Sequence, residues 1–218
     1  MRIVTADDLA RLLTYKDLIG ALADAFRGDI TVPVRHHHTI AQPGADATLL
    51  LMPAWTDEAA GTQGGERFIG CKIVTVFHGN AKAGRPSVYG QYLLLSGDSG
   101  EPLAMIDGRV LTAWRTACAS ALAARYLARE DASHLMIVGA GVLAPHLVRA
   151  HAAVRPLKRV TIWNRTKANA VALGFELAKG GLVVDVTDDL GAMREADIVS
   201  CATLSNEPLV RGEWLKAG

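Results

Sequence analysis

The stretch that decides the fold is HLMIVGAGVLA, His134 to Ala144. Leu135 to Val138 is an apolar run short enough to be a strand buried on both faces, as strands of a parallel sheet are. Gly139 and Gly141 fill the first two positions of the pattern G-x-G-x-x-G/A, and Ala144 fills the third. In that pattern the first glycine permits the tight turn out of the strand and the second removes a side chain that would block a pyrophosphate. A small third residue lets the following helix pack on the sheet. The backbone N–H groups of Val142 and Leu143 would then point at phosphates from a helix N-terminus. Pro145 suits the first turn, where an N–H has no intrahelical partner.

A glycine turn by itself also fits an ordinary strand-to-helix connection, so its surroundings decide. A helix from Ala144 to Val154 follows, and VTIWNRT, Val160 to Thr166, supplies a second strand at the βαβ distance. The pattern predicts a dinucleotide site. At the end of that second strand an NAD site usually carries Asp or Glu for the ribose 2′-OH, whereas an NADP site must accommodate a phosphate. This chain has Asn164, Arg165, Thr166 and Lys167, and no carboxylate. Arg165 can fork onto a phosphate or stack on the adenine, Asn164 and Thr166 can donate hydrogen bonds, and Lys167 adds a second positive charge. The competing reading is a solvated turn. NADPH is the expected cofactor, with NAD as the alternative.

The 218 residues are 50% hydrophobic and 21% charged, which suits one or two globular domains. A net charge of +1 carries no nucleic-acid or membrane-surface signature, so the basic group near Asn164 reads as a local site. The opening MRIVTADDLARLLTYKD lacks the basic-then-apolar pattern of a signal peptide, and no apolar run approaches a membrane span. A cytoplasmic protein is expected. Cys71, Cys118 and Cys201 form no C-x-x-C pair and read as buried thiols.

Upstream of the glycine turn, Thr5 with Asp8 and Thr14 with Asp17 predict two capped helices, Ala6 to Leu13 and Tyr15 to Phe26. Strands are expected at Val32 to Ile40, Thr48 to Trp55, Phe68 to Phe77, Ser87 to Ser96 and Pro102 to Ile106, with Gly97 to Glu101 as a hairpin turn. An alanine-rich helix from Arg109 to Arg129 leads into the nucleotide strand. The fold class is therefore α/β: an α+β domain over 1–130, then a Rossmann-type parallel sheet over 131–218. Downstream, a helix over Lys167 to Ala178, a strand over Leu182 to Val186, a short helix over Asp188 to Met193 and a strand over Asp197 to Ala202 are expected. Four strands are fewer than the six of a full Rossmann fold, so the sheet reads as C-terminally incomplete.

Three cations interrupt apolar text: Arg35 in VPVRHHH, Lys72 in FIGCKIVTVF and Arg115 in LTAWRTACAS. A charge there is costly unless paired or functional. Alternation puts Lys72 and Val74 on one strand face and Cys71 and Ile73 on the other. That face either meets solvent or lines a cleft, where the amine could hydrogen-bond or protonate a substrate nitrogen. Arg35 and Arg115 suit a carboxylate, or else an ordinary surface salt bridge. Thr112, Arg115 and Thr116 share a helix face, although the threonines are also placed to bond back to the helix. Of His36, His37 and His38 at most two could converge, and no metal site is expected.

These residues together resemble the ornithine cyclodeaminase and mu-crystallin family. The resemblance runs in order through VPVRHHH, LLLMPAW, GCKIVTVF, the segment GRPSVYGQYLLLSGDSGEPLAMIDG, LTAWRTACASALAARYLA, IVGAGVLA and VTIWNRT. It implies a homodimer through the first domain and a small α-imino or α-amino acid bound between the domains. By motif match Arg35 holds the substrate carboxylate, Met52 lies on the substrate side, and Lys72 contacts the carboxylate or nitrogen. Arg115 reaches substrate and cofactor, and Ser87 and Thr203 contact the cofactor. Members are expected to continue past the position of Gly218 into a further strand, which in cyclodeaminases carries an acid/base aspartate. A cyclodeaminase regenerates its NAD in place, whereas a reductase consumes its cofactor, and N-R-T-K favours NADPH. The expected activity is therefore reduction of a cyclic imine carboxylate such as Δ1-pyrroline-2-carboxylate to L-proline. Ornithine cyclodeaminase and a crystallin-like protein that binds NADPH and a small ligand without turnover are the alternatives.

Overall fold

The computed structural model describes residues 1–57, 66–203 and 205–217. They form two compact units: Met1–Leu13 with Ala21–Thr112, and Thr14–Gly20 with Ala113–Gly218.

The first unit is built on a seven-stranded sheet. Its strands are β1 (Arg2–Val4), β2 (Ile30–Thr31), β3 (His36–Ile40), β4 (Ala47–Thr56), β5 (Phe68–Val76), β6 (Val88–Ser96) and β7 (Pro102–Asp107). The order is β1-β7-β6-β5-β4-β2, with β3 also paired to β4, and all pairings except β1 with β7 are antiparallel. Helix α1 (Ala6–Leu12) begins with the expected capping box, Thr5 and Asp8 satisfying each other's backbone N–H. Before α2 (Tyr15–Ala25), the Thr14 hydroxyl accepts from the Asp17 N–H at 3.1 Å.

Three expectations change here. The single strand Val32 to Ile40 is instead two pieces, β2 and β3, with 32–35 outside both. Pro33 lies in that gap, where it need not donate to a ladder. Strand β1 was not expected, because three residues are too few to show a period. Ser87 precedes β6 and accepts from the Phe77 N–H at 2.8 Å. The hairpin at 97–101 is as expected, closed by Ser96 N–H to Glu101 O at 2.9 Å with Gly100 at φ +72°.

This sheet has little buried core. Among the apolar non-glycine residues of its strands only Ala47 and Ala104 are fully buried, and the run Leu49 to Ala54 is half-buried on both faces.

The second unit concentrates the core. Helix α3 (Gly108–Leu127) enters it at Ala113 and buries Ala113, Trp114, Ala117, Cys118, Ala121 and Leu122. Its C-terminal carbonyls meet a buried cation that sequence reasoning overlooked. The Arg155 guanidinium donates to Ala124, Arg125, Ala128, Arg129 and Val154 carbonyls at 2.7 to 3.0 Å. Positive charge at a helix C-terminus also complements the helix dipole.

After α3 come β8 (His134–Val138), α4 (Ala144–Ala152), β9 (Arg159–Trp163), α5 (Lys167–Ala178), β10 (Val183–Thr187) and β11 (Ile198–Cys201). The strands make a parallel sheet in the order β10-β9-β8-β11. This is the Rossmann order 3-2-1-4. Strand β8 is buried along its whole length, as the apolar run Leu135 to Val138 requires. The short helix expected at Asp188 to Met193 is a 3-10 turn, Leu190–Glu195, capped by the Asp189 carboxylate accepting from Gly191 N–H at 2.7 Å. Asp197 lies outside β11, and its carboxylate accepts from the N–H groups of Ser133 and His134, both at 2.9 Å.

Candidate functional site

Strand order reverses between β8 and β11, and in open parallel sheets ligands bind at such a switch point, beyond the carboxyl ends of the strands. A cavity of about 290 Å³ opens there. Its floor is Gly139, Ala140 and Gly141, one side is Trp163, Asn164, Arg165 and Asn169, and the other is Ala202, Thr203, Ser205 and Leu209.

The two glycines earn their places differently. Gly139 has φ +107°, and a Cβ on it would lie 2.4 Å from the Ala202 carbonyl oxygen, so it lets the turn after β8 pass the turn after β11. Gly141 would meet nothing within 4 Å: the space its missing side chain leaves is open. Ala144 is fully buried, and Leu143 at the start of α4 makes no side-chain capping bond. An open glycine and an uncapped helix N-terminus over a cavity fit a pyrophosphate. Val142 is exposed and Leu143 half-buried.

The end of β9 supplies the other wall. Asn164 Oδ1 accepts from the Ala140 N–H at 3.0 Å, and its Nδ2 donates to the Thr166 carbonyl at 2.9 Å. The indole N–H of Trp163 donates to the Asp188 carbonyl at 3.2 Å, which fixes the ring. Arg165 lines the cavity, is exposed, and has no acidic partner among the described residues. Thr166 is exposed beside it. Lys167 Nζ lies 2.5 Å from the Asp188 carboxylate, with both side chains exposed. Of the cavity residues, Ala140, Trp163, Asn169, Ala202, Ser205 and Leu209 escaped sequence reasoning. Ala140 and Trp163 adjoin the motifs and were within reach, whereas Ser205 and Leu209 come from a loop with no periodic signal.

Arg115 also belongs to the second unit, exposed on α3 beside the buried Trp114. Trp114 stacks on Tyr15 at 4.3 Å between ring centroids, and the Tyr15 hydroxyl is 3.0 Å from His146 Nδ1. Burial raises the Tyr15 pKa and lowers that of His146.

In the first unit the register sets Met52 opposite Lys72. Directly opposed residues send their side chains to the same face. His36 opposes Leu51, so Arg35, one residue before β3, is next in line toward Met52. Arg35 is exposed, while Met52 and Lys72 are half-buried. Met52 and Lys72 thus share one row of one sheet, and Arg35 lies one residue before the start of β3.

The ornithine cyclodeaminase/mu-crystallin family model matches residues 2–218. The chain belongs to this family. A relative from Arabidopsis thaliana named Protein SAR DEFICIENT 4 is 38% identical, the match covering 99% of this chain and 66% of the relative. A Δ1-pyrroline-2-carboxylate reductase from Colwellia psychrerythraea is 34% identical over 100% of this chain and 68% of its own length. Among solved structures, the Thermococcus litoralis Δ1-pyrroline-2-carboxylate reductase in complex with NADH and L-proline superposes with TM-score 0.84 at 30% identity, covering 99% of this chain and 66% of that one. The chain therefore spans about two thirds of the length of these relatives. Among the described residues no helix is long and apolar enough to cross a membrane.

Proposed function

We propose that this family member serves an NADPH-dependent reduction of a cyclic imine carboxylate such as Δ1-pyrroline-2-carboxylate, giving L-proline. The observation that carries the reading is the cavity at the switch point, open at Gly141 and bordered by the exposed guanidinium of Arg165 where an NAD site usually carries a carboxylate. Relatives named for this reaction support the choice of substrate.

Gly139, Gly141 and the first turn of α4 would hold the pyrophosphate, and Arg165 with Thr166 the ribose 2′-phosphate. When bound, NADPH supplies a hydride to the imine carbon. With that hydride and one proton taken up at the ring nitrogen, C=N would become CH–NH. Arg35 would fork onto the substrate carboxylate, and Met52 would give an apolar surface beside it. The Lys72 ammonium would donate a hydrogen bond to the carboxylate, or to the imine nitrogen, where it would polarise C=N toward hydride attack and stand as a proton donor. Thr203 borders the cavity after β11 and would line the nicotinamide side, with Ser87 and Arg115 as further cofactor contacts.

The protein would act as a homodimer through its first unit. Ile3, Trp55, Ile73 and Tyr89 all leave the sheet face opposite Lys72 and are 37 to 66% exposed. Such an apolar patch suits a second copy. The deciding assay mixes the protein with NADPH and Δ1-pyrroline-2-carboxylate and follows nicotinamide absorbance. A fall matched by L-proline formation is expected, and no oxidation overturns the reading. Ammonia released from ornithine with no net absorbance change would put a cyclodeaminase in its place.

A further inference from the structure

The row that holds Met52 and Lys72 does not end there. Lys72 is opposed on its other side by Tyr92 of β6, so Met52, Lys72 and Tyr92 leave the same face of three adjacent strands. Gly70, two residues before Lys72 on β5, shares that face and is buried.

The Tyr92 side chain leans along the sheet over Gly70. A Cβ at position 70 would lie 1.9 Å from the Tyr92 hydroxyl oxygen and 2.7 Å from the ring carbon that bears it. Gly70 has no positive φ, so its backbone does not call for glycine and the vacancy above it serves the phenol. The ring is half-buried, and its hydroxyl has no hydrogen-bond partner among the described residues. Burial raises its pKa, so the group is a neutral donor at physiological pH.

A phenol with a spare donor, held beside Lys72 by a reserved vacancy, suits contact with a small polar ligand rather than core packing. We propose that Tyr92 is a specificity-determining substrate contact, its ring bounding the imino acid on the side of Lys72 away from Met52 and its hydroxyl donating a hydrogen bond to the bound ligand. The inference rests on the imine-reductase reading and adds to it what sets the permitted ring size.

The test compares kcat/KM for Δ1-pyrroline-2-carboxylate and its six-membered ring homologue in wild type, Tyr92→Phe, Tyr92→Ala and Gly70→Ala. Tyr92→Phe is expected to raise KM several-fold for the substrate wild type prefers, with cofactor Kd unchanged. Tyr92→Ala is expected to shift the ratio toward the larger ring at least fivefold. Gly70→Ala, which displaces the phenol without removing it, is expected to move the ratio as well. Unchanged KM in Tyr92→Phe together with unchanged ratios in the other variants, all with wild-type circular dichroism and cofactor affinity, overturns the proposal. If Tyr92→Ala does not fold, Tyr92→Phe and Gly70→Ala decide it. Wild-type protein that reduces neither imine overturns the underlying reading and this inference with it. Turnover with no effect of Tyr92 overturns the inference alone.

Discussion

Asn164 Oδ1 accepts a hydrogen bond from the Ala140 N–H at 3.0 Å, joining the end of the second nucleotide strand to the glycine turn of the first. Its amide nitrogen is committed to the Thr166 carbonyl at 2.9 Å. One end of this side chain therefore ties the strand end to the cavity floor, and the other fixes the turn that follows it. Asn164→Ala removes two hydrogen bonds worth about 1 kcal/mol each, and it should weaken NADPH and NADH alike, by roughly tenfold. Fluorescence titration with both cofactors checks this. A loss confined to NADPH would mean instead that Asn164 contacts the 2′-phosphate directly.

Arg165 should behave in the opposite way. It borders the cavity with no acidic partner among the described residues, so Arg165→Asp removes a phosphate partner and adds like charge. The expected result is a much larger loss of NADPH than of NADH affinity in the same titration. Equal losses would count against the phosphate assignment.

How far could these roles be read beforehand? Gly139, Gly141 and Ala144 announced the turn, and the text from Leu135 to Thr166 contained two strands and a helix because each is local and periodic. The commitment of Asn164 to Ala140 was not legible, since it joins residues 24 positions apart through the fold. The same holds for the ion pair of Lys167 with Asp188, 21 positions further on. Met52 and Lys72 were each noticed in the sequence, but their pairing depends on register, which the half-buried leucine run of β4 does not specify by alternation.

Lys72→Ala should lower turnover with cofactor affinity unchanged, because Lys72 lies in the first unit's sheet, outside the cavity lining. Steady-state kinetics alongside cofactor titration separate the two. Unchanged turnover would remove Lys72 from the site.

Arg155 offers a test of stability. Its substitution by Met keeps most of the volume but removes the guanidinium from five carbonyl acceptors, of which Ala124 and Arg129 keep a backbone N–H donor. A cost of about 3 kcal/mol or more is expected from the buried acceptors alone. Urea unfolding measures it, and a change below about 1 kcal/mol, the worth of a single net hydrogen bond, would show that water replaces the guanidinium.

His151 should make the second unit acid-sensitive. It is 2% exposed, burial pushes its pKa down to about 4, and Nδ1 has no partner among the described residues while Nε2 lies 3.2 Å from the Ser120 hydroxyl. The unfolded chain takes the proton near the ordinary value of 6.5, so stability is full above that pH and falls as pH drops toward 4. The shift corresponds to about 3 kcal/mol across that window. Between pH 7 and 4 the urea midpoint of wild type should fall relative to that of His151→Met, and parallel curves would contradict this.

The vacancy at Gly70 also limits the order in which this protein can drift. A residue larger than glycine at position 70 collides with the phenol of Tyr92, whereas a smaller side chain at position 92 leaves Gly70 merely unfilled. Substitution at 92 therefore needs no rearrangement, whereas a larger residue at 70 must first push the phenol aside. In descendants of this chain the two positions should be inherited as a pair, with bulk at one answered by its loss at the other.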